Sequence, residues 1–150
     1  MTKKRNITLK NKILNILLTN GNKPTGEKIL LKTVKLIQKL TYKKHKELIQ
    51  LAVVNSTPTF KMNQQKIKKG KRKSKKEIPT FIQNDLLRTA ISLKYIKKSA
   101  KKIKNSSCFY KNFTDELFLS SKLKSQSIDK KNEIQKQILI HKKYLFKFRW

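Results

Sequence analysis

Only eight Asp and Glu side chains are spread over the 150 residues, and Asp115-Glu116 is their one adjacent pair. Nucleotidyl transfer or metal-dependent hydrolysis needs carboxylates gathered around divalent ions, and this scatter does not supply them. The pair reads instead as tuning the helix that carries it. Zinc asks for Cys and His at short spacing, whereas the chain has Cys108 alone and two distant histidines, His45 and His141. All three are expected to be structural. The segment Thr19-Asn20-Gly21-Asn22-Lys23 lacks the spacing of a phosphate-binding loop. No enzyme, metal, cofactor or small-molecule substrate is therefore expected.

The abundant chemistry is cationic. Thirty-nine Lys and Arg set the formal charge at +31, and self-repulsion of that size opposes compaction until counter-charge arrives. A polyanion is the expected partner, with released counterions supplying much of the affinity. Four basic surfaces stand out: an N-terminal group of Lys3, Lys4, Arg5, Lys10 and Lys12; a run holding Lys61, Lys66, Lys68, Lys69, Lys71, Arg72, Lys73, Lys75 and Lys76; a helix face with Lys94, Lys97, Lys98, Lys101 and Lys102; and an aromatic-basic end with Lys142, Lys143, Lys147, Arg149 and Trp150. Lysine is a mobile point charge suited to phosphates, whereas base reading favours planar Arg, Asn and Gln. Shape and phosphate position should dominate recognition, and several basic faces suit a folded RNA that surrounds the protein better than a straight duplex.

The elements that must position these charges are legible in the apolar spacing. Leu9, Ile13, Ile16 and Leu17 predict a first helix stopping at Asn20-Gly21. Thr25 is the expected N-cap of a second, whose broad face of Ile29, Leu30, Thr33, Val34, Leu36, Ile37 and Leu40 suggests a central, well-buried helix. A third runs from His45 to Val54 and ends before Pro58. The period then changes to alternation at Phe60 and Met62, and again at Ile78, Thr80 and Ile82, predicting two short strands of an edge ribbon with Gly70 near the turn and a self-repelling tip. Asn84 or Asp85 opens a fourth helix with the stripe Leu86, Ala90, Leu93, Ile96, Ala100, Ile103. Ser106 or Ser107 opens a fifth, the least regular, with Phe109, Phe113 and Leu117. Ser127 is the expected cap of a sixth carrying Ile134, Ile138, His141 and Leu145. The fold class is mainly α, a six-helix bundle with a two-stranded β-ribbon between helices three and four. One domain over 1–150 is expected, with a basic arm at 1–8, the ribbon at 58–82 and the tail at 144–150. Sixteen Ile and seven Phe argue against disorder throughout.

A lone cysteine excludes an internal disulfide and fits a reducing compartment. No stretch approaches the length of an apolar membrane span, so no membrane partner is expected. Lysine outnumbers arginine thirty-five to four beside many Ile and Asn, the usage of an A/T-rich organelle or bacterial genome.

The order of elements resembles the small-subunit ribosomal protein seven family. The similar segments are Lys12-Ile13-Leu14-Asn15-Ile16-Leu17 running into Gly21-Asn22-Lys23-Pro24-Thr25; Ala52 to Thr59; Ile78-Pro79; Lys94-Tyr95-Ile96; Asp115-Glu116-Leu117; Lys130-Lys131-Asn132-Glu133; and Phe148-Arg149-Trp150. The family's paired glycines at the ribbon tip shrink here to Gly70, and its longer Arg-rich opening to Met1–Lys10. The resemblance implies binding to the head (three-prime major) domain of small-subunit rRNA, nucleation of head assembly beside neighbouring head proteins, and a ribbon near exit-site tRNA and the mRNA path. It adds Lys23, in the turn before the second helix, to the RNA-binding candidates. Because the match begins so early, little room is expected for an import peptide. A mitochondrial matrix location is favoured, then a plastid, then an A/T-rich bacterial cytoplasm. The rival is a DNA-compacting basic protein, which shares the charge but has no use for the ribbon.

Overall fold

The computed structural model describes residues 9–18, 21–41, 44–69, 72–103 and 108–140, with the side chains of 65–69 and 72–76 outside that description. The order is α1 (Leu9–Leu17), α2 (Lys23–Leu40), α3 (His45–Ser56), β1 (Phe60–Lys69), β2 (Arg72–Phe81), α4 (Asp85–Lys102), α5 (Phe109–Ser121) and α6 (Gln126–Ile140). Six helices with an antiparallel pair between the third and fourth match the expected fold class.

The helix at the centre is not the expected one. α5 packs against α2, α3, α4 and α6, whereas α2 buries Leu30, Thr33 and Ile37 but leaves Leu31 and Leu40 in solvent. The core joins Ile13, Leu14 and Leu17 of α1 to Leu48, Ile49, Ala52 and Val53 of α3, Leu93, Ile96 and Ala100 of α4, and Phe113 and Leu117 of α5. α5 also buries Asn112, Thr114, Glu116 and Ser120. Buried polar side chains are normally hydrogen-bonded, and each of these has at least one partner: Asn112 Nδ2 donates to the Ile103 carbonyl at 2.7 Å and Thr114 Oγ1 to the Tyr110 carbonyl at 2.8 Å, while Glu116 is bonded through Oε1 and its Oε2 has no partner among the described residues. Their polarity hides the helix from an apolar count.

Four boundaries differ from expectation. Thr25 is not a cap: α2 begins at Lys23, and Pro24 sits in its first turn, where a fixed φ and a missing N–H cost nothing. α1 ends at Leu17, and Gly21, at φ +73°, belongs to the turn that hands the chain to α2. Ser127 lies inside α6, and the capping residue is Ser125, whose carbonyl accepts from the Ile128 and Asp129 amides at 3.1 and 3.2 Å. Asn84 does cap α4, accepting from the Leu86 amide at 2.9 Å. α3 runs to Ser56, because the Ser56 and Thr57 hydroxyls bond back to the Ala52 and Val53 carbonyls before Pro58 stops it. Ser106, Ser107, His141 and Leu145 lie outside the described residues.

The ribbon is longer than two short strands. Its register runs from Phe60↔Phe81 to Lys69↔Arg72, so the ladder takes in the basic run and leaves only residues 70 and 71 between the strands. Ladder bonds come from backbone, and repulsion between like side chains costs only ~0.2–1 kcal/mol per cross-strand pair. The root is fixed by an edge-to-face contact of the Phe60 and Phe81 rings at 5.6 Å, by buried Pro58 and Ile82, and by the Ile82 amide on the Thr59 carbonyl at 3.0 Å. Ten residues per strand at ~3.3 Å each carry the arm about 30 Å from that root.

Candidate nucleic-acid interface

Where the end of α1 crosses α4, a groove of about 370 Å³ is lined by Asn15, Ile16, Lys94, Lys97, Lys98 and Lys101. The lysines fall here because α4 turns Leu93, Ile96 and Ala100 into the core, which leaves 94, 97, 98 and 101 on the outer face. Lys94, Lys98 and Lys101 are exposed and Lys97 is half-buried. The Lys97 ammonium donates to the Ile16 carbonyl, an acceptor in the last turn of α1 where the helix dipole favours a cation. Burial, with help from the Lys101 charge, lowers the Lys97 pKa. Nearby, Lys12 donates to Thr89 Oγ1 at 3.0 Å and ties the same two helices again. No carboxylate lines the groove among the described residues. Its chemistry is that of an anion cradle: three mobile ammonium groups around a fourth already held in place.

The other expected residues disperse. Lys10 is exposed but lines a different groove, between α1, α2 and α3. Lys23 is exposed and lies 4.0 Å from Glu27, a surface pair of little strength. Lys61 is half-buried at the ribbon root. Lys66, Lys68, Lys69, Arg72, Lys73, Lys75 and Lys76 sit on the two strands, described by backbone alone. Lys3, Lys4, Arg5, Lys71, Lys142, Lys143, Lys147, Arg149 and Trp150 lie outside the described residues.

Two lysines that the charge pattern did not single out as a site are built into the fold. Lys131 donates to the Asn55 carbonyl at 2.7 Å, and the Asn55 amide donates to the Ser120 and Ser121 carbonyls at 3.1 and 3.2 Å, so one junction closes the ends of α3 and α5 onto α6. Lys130 donates to Ser99 Oγ at 2.8 Å. Burial lowers both pKa values, and for Lys130 the Lys102 and Lys98 charges add to it while Glu116 and Glu133 oppose it. Glu116, fully buried, accepts from the Ser127 amide at 3.1 Å and so places a carboxylate at the start of α6, where the dipole favours it. Beside it the hydroxyls of Ser120, Ser125 and Ser127 bond to one another at 2.7 to 3.0 Å. The Asp115-Glu116 pair was thus rightly placed on helix five, but the element Glu116 orders is helix six. The signal available in sequence was Lys130-Lys131 four residues beyond the loop, whose orientation only the packing reveals.

A small helical body carrying a cation-lined groove and a projecting basic ribbon offers the surfaces of a structural protein suited to a polyanion. The family model described as "Ribosomal protein S7p/S5e" matches residues 1–139. The chain belongs to this family. Among curated relatives, the "Small ribosomal subunit protein uS7c" of Euglena longa is 30% identical over 131 residues, covering 87% of this chain and 71% of the relative. The protein of the same name from Euglena gracilis is 27% identical over 141 residues, 91% of this chain and 80% of the relative. A structural role in the small ribosomal subunit follows from that membership, and the class is not an enzymatic one.

Proposed function

We propose that the chain binds the head (three-prime major) domain of small-subunit rRNA through the α1–α4 groove, nucleates head assembly there beside neighbouring ribosomal proteins, and sends its ribbon toward exit-site tRNA and the mRNA path. The observation that carries this is the convergence of Lys94, Lys97, Lys98 and Lys101 in one groove that no carboxylate lines among the described residues, on a body that also carries a ribbon about 30 Å long. Phosphates of a folded RNA fit such a groove, and a rigid arm reaches a ligand the body cannot touch. Lys12, at the same helix crossing, adds to the groove; Lys61 and the strand lysines belong to the ribbon's own contacts, with Lys3, Lys4, Arg5 and the C-terminal Lys142 to Trp150 as further contacts. The plastid alternative fits the relatives, whose names designate the chloroplast form, while the mitochondrial location has no support among them.

The test compares affinity for a head-domain rRNA transcript with that for random-sequence DNA duplex at several salt concentrations. Preference for the rRNA, with affinity falling about 10³ to 10⁵-fold between 50 and 200 mM salt, is expected for some 6 to 10 phosphate contacts. Equal affinity for both would favour the DNA-compacting alternative. Replacing residues 66–76 by a short Asn-Gly turn should leave head-rRNA affinity largely intact, since the root contacts lie outside the excised segment. The loss should fall on tRNA or mRNA contact.

A further inference from the structure

A second groove, of about 520 Å³, lies on the face of the bundle between α1, α2 and α3. Its floor is aliphatic, with Ile13, Leu30 and Ile49 buried and Val34 half-buried. Leu31 stands at its mouth with 61% of its surface in solvent. Lys10 and Lys46 are exposed at its edge, and no carboxylate lines it among the described residues. The nearest acids in sequence, Glu27 and Glu47, lie against Lys23 and Lys44 instead.

We infer that this groove docks an acidic, leucine-bearing segment of a neighbouring protein. The volume lies within the ~300–1,000 Å³ of built ligand sites and the lining is mostly apolar, as such sites require. An exposed leucine beside a ready-made apolar floor is an anchor position, since covering it removes apolar surface from water on both sides. The charged edge selects the sign of the partner: Lys10 and Lys46 attract carboxylates and repel a second copy of a chain at +31. RNA is the poorer occupant, because unstacked bases seek aromatic or arginine planes and, among the described lining, the half-buried His45 ring alone offers one, held 3.4 Å from Gln38 Nε2, while the floor is aliphatic. The Lys3-Lys4-Arg5 segment has the wrong charge for this edge. The groove lies on a different pair of helix faces from the α1–α4 cradle, so the inference stands apart from the proposed rRNA contact.

The test titrates a synthetic amphipathic peptide, leucines on one face and glutamates on the other, into the full chain at salt high enough to suppress diffuse surface attraction. Methyl NMR should show shifts at Leu31, Val34 and Ile49. Leu31→Glu should weaken the peptide at least about tenfold while head-rRNA affinity stays within about twofold, and a peptide of the same composition with scrambled leucine spacing should lose binding too. Lys46→Glu, which touches only the edge, provides the same test if Leu31→Glu fails to fold by circular dichroism. Shifts confined to α4 or the ribbon, equal binding by the variants, or an equal loss of rRNA affinity would overturn the inference. So would a concentration-dependent dimer of the wild-type chain that Leu31→Glu abolishes, which would make the occupant a second copy.

Discussion

Two sets of lysines on the same bundle do opposite work. In the α1–α4 groove, Lys94, Lys98 and Lys101 are exposed and, among the described residues, only Lys97 is spent on an internal carbonyl. At the α3–α5–α6 junction, Lys130 and Lys131 are half-buried and both ammonium groups are occupied, one by Ser99 and one by the Asn55 carbonyl. A formal charge of +31 counts the two sets alike. What separates them is whether a carbonyl at a helix end or a hydroxyl lies within reach to accept a hydrogen bond from the ammonium group, and that depends on which helices cross. The first set leaves three ammonium groups on the surface; in the second, Lys131 satisfies a carbonyl at the end of α3 and Lys130 ties α6 to a hydroxyl of α4.

The comparison breaks most visibly if the groove set is neutralised. Replacing Lys94, Lys97, Lys98 and Lys101 by Gln should cut head-rRNA affinity roughly a hundredfold or more at low salt and flatten the log–log salt slope by about 3, at ~0.7–0.9 per phosphate contact. Thermal stability of the free chain should hold or rise when Lys94, Lys98 and Lys101 alone are replaced, as repulsion is relieved, and fall when Lys97→Gln is added, since the bond to the Ile16 carbonyl is then lost. An unchanged slope would move the interface elsewhere. Lys131→Met should do the reverse, costing about 1.5–3 kcal/mol for a charge-assisted hydrogen bond, or some 2–4 °C of Tm per kcal/mol for a chain of this size. Its rRNA salt slope should not change, and a fall of one contact would place Lys131 in the wrong set.

Asn55→Ala removes two neutral hydrogen bonds from the same junction and should cost about 1–2 kcal/mol. Combined with Lys131→Met it should cost less than the sum of the two, since both act on one contact. Additive losses would show that the junction is two independent contacts.

The smallest effect concerns pH. Lys97, Lys130 and Lys131 are all shifted below the ordinary lysine value, chiefly by burial. Between those lowered values and ~10.4 these three side chains bind more protons in the unfolded chain than in the folded one, so they make stability rise with pH through that alkaline window, while Tyr95, whose pKa burial raises, opposes them at its upper end. The wild-type melting temperature should climb across it by more than that of the Lys130→Met, Lys131→Met double variant, while rRNA affinity falls as the ammonium groups lose their charge. Identical slopes for the two chains would mean that neither lysine is desolvated by the fold.

Much was legible without coordinates. Helix and ribbon order followed from apolar periods of 3.6 and 2 and from the capping of α4 by Asn84, because those signals are local and the residues that carry them touch their own element. The grouping of Lys94, Lys97, Lys98 and Lys101 on one face followed from the same period. The central position of α5 did not, because Asn112, Thr114, Glu116 and Ser120 look like surface residues until their partners on other elements are known. Nor did the separation of Lys10 from Lys12, two positions apart in one helix, the first lining the α1–α2–α3 groove and the second bonded to Thr89 of α4.

By itself, then, the sequence determined a basic helical protein with an inserted ribbon and one lysine-rich helix face, since charge and periodicity are properties of the chain. The tertiary structure alone decided which cations remain available. Lys97, Lys130 and Lys131 meet their acceptors across 81, 31 and 76 residues of chain. A hydrogen bond closed over such a separation exists only after the helices have packed, and no local pattern encodes it.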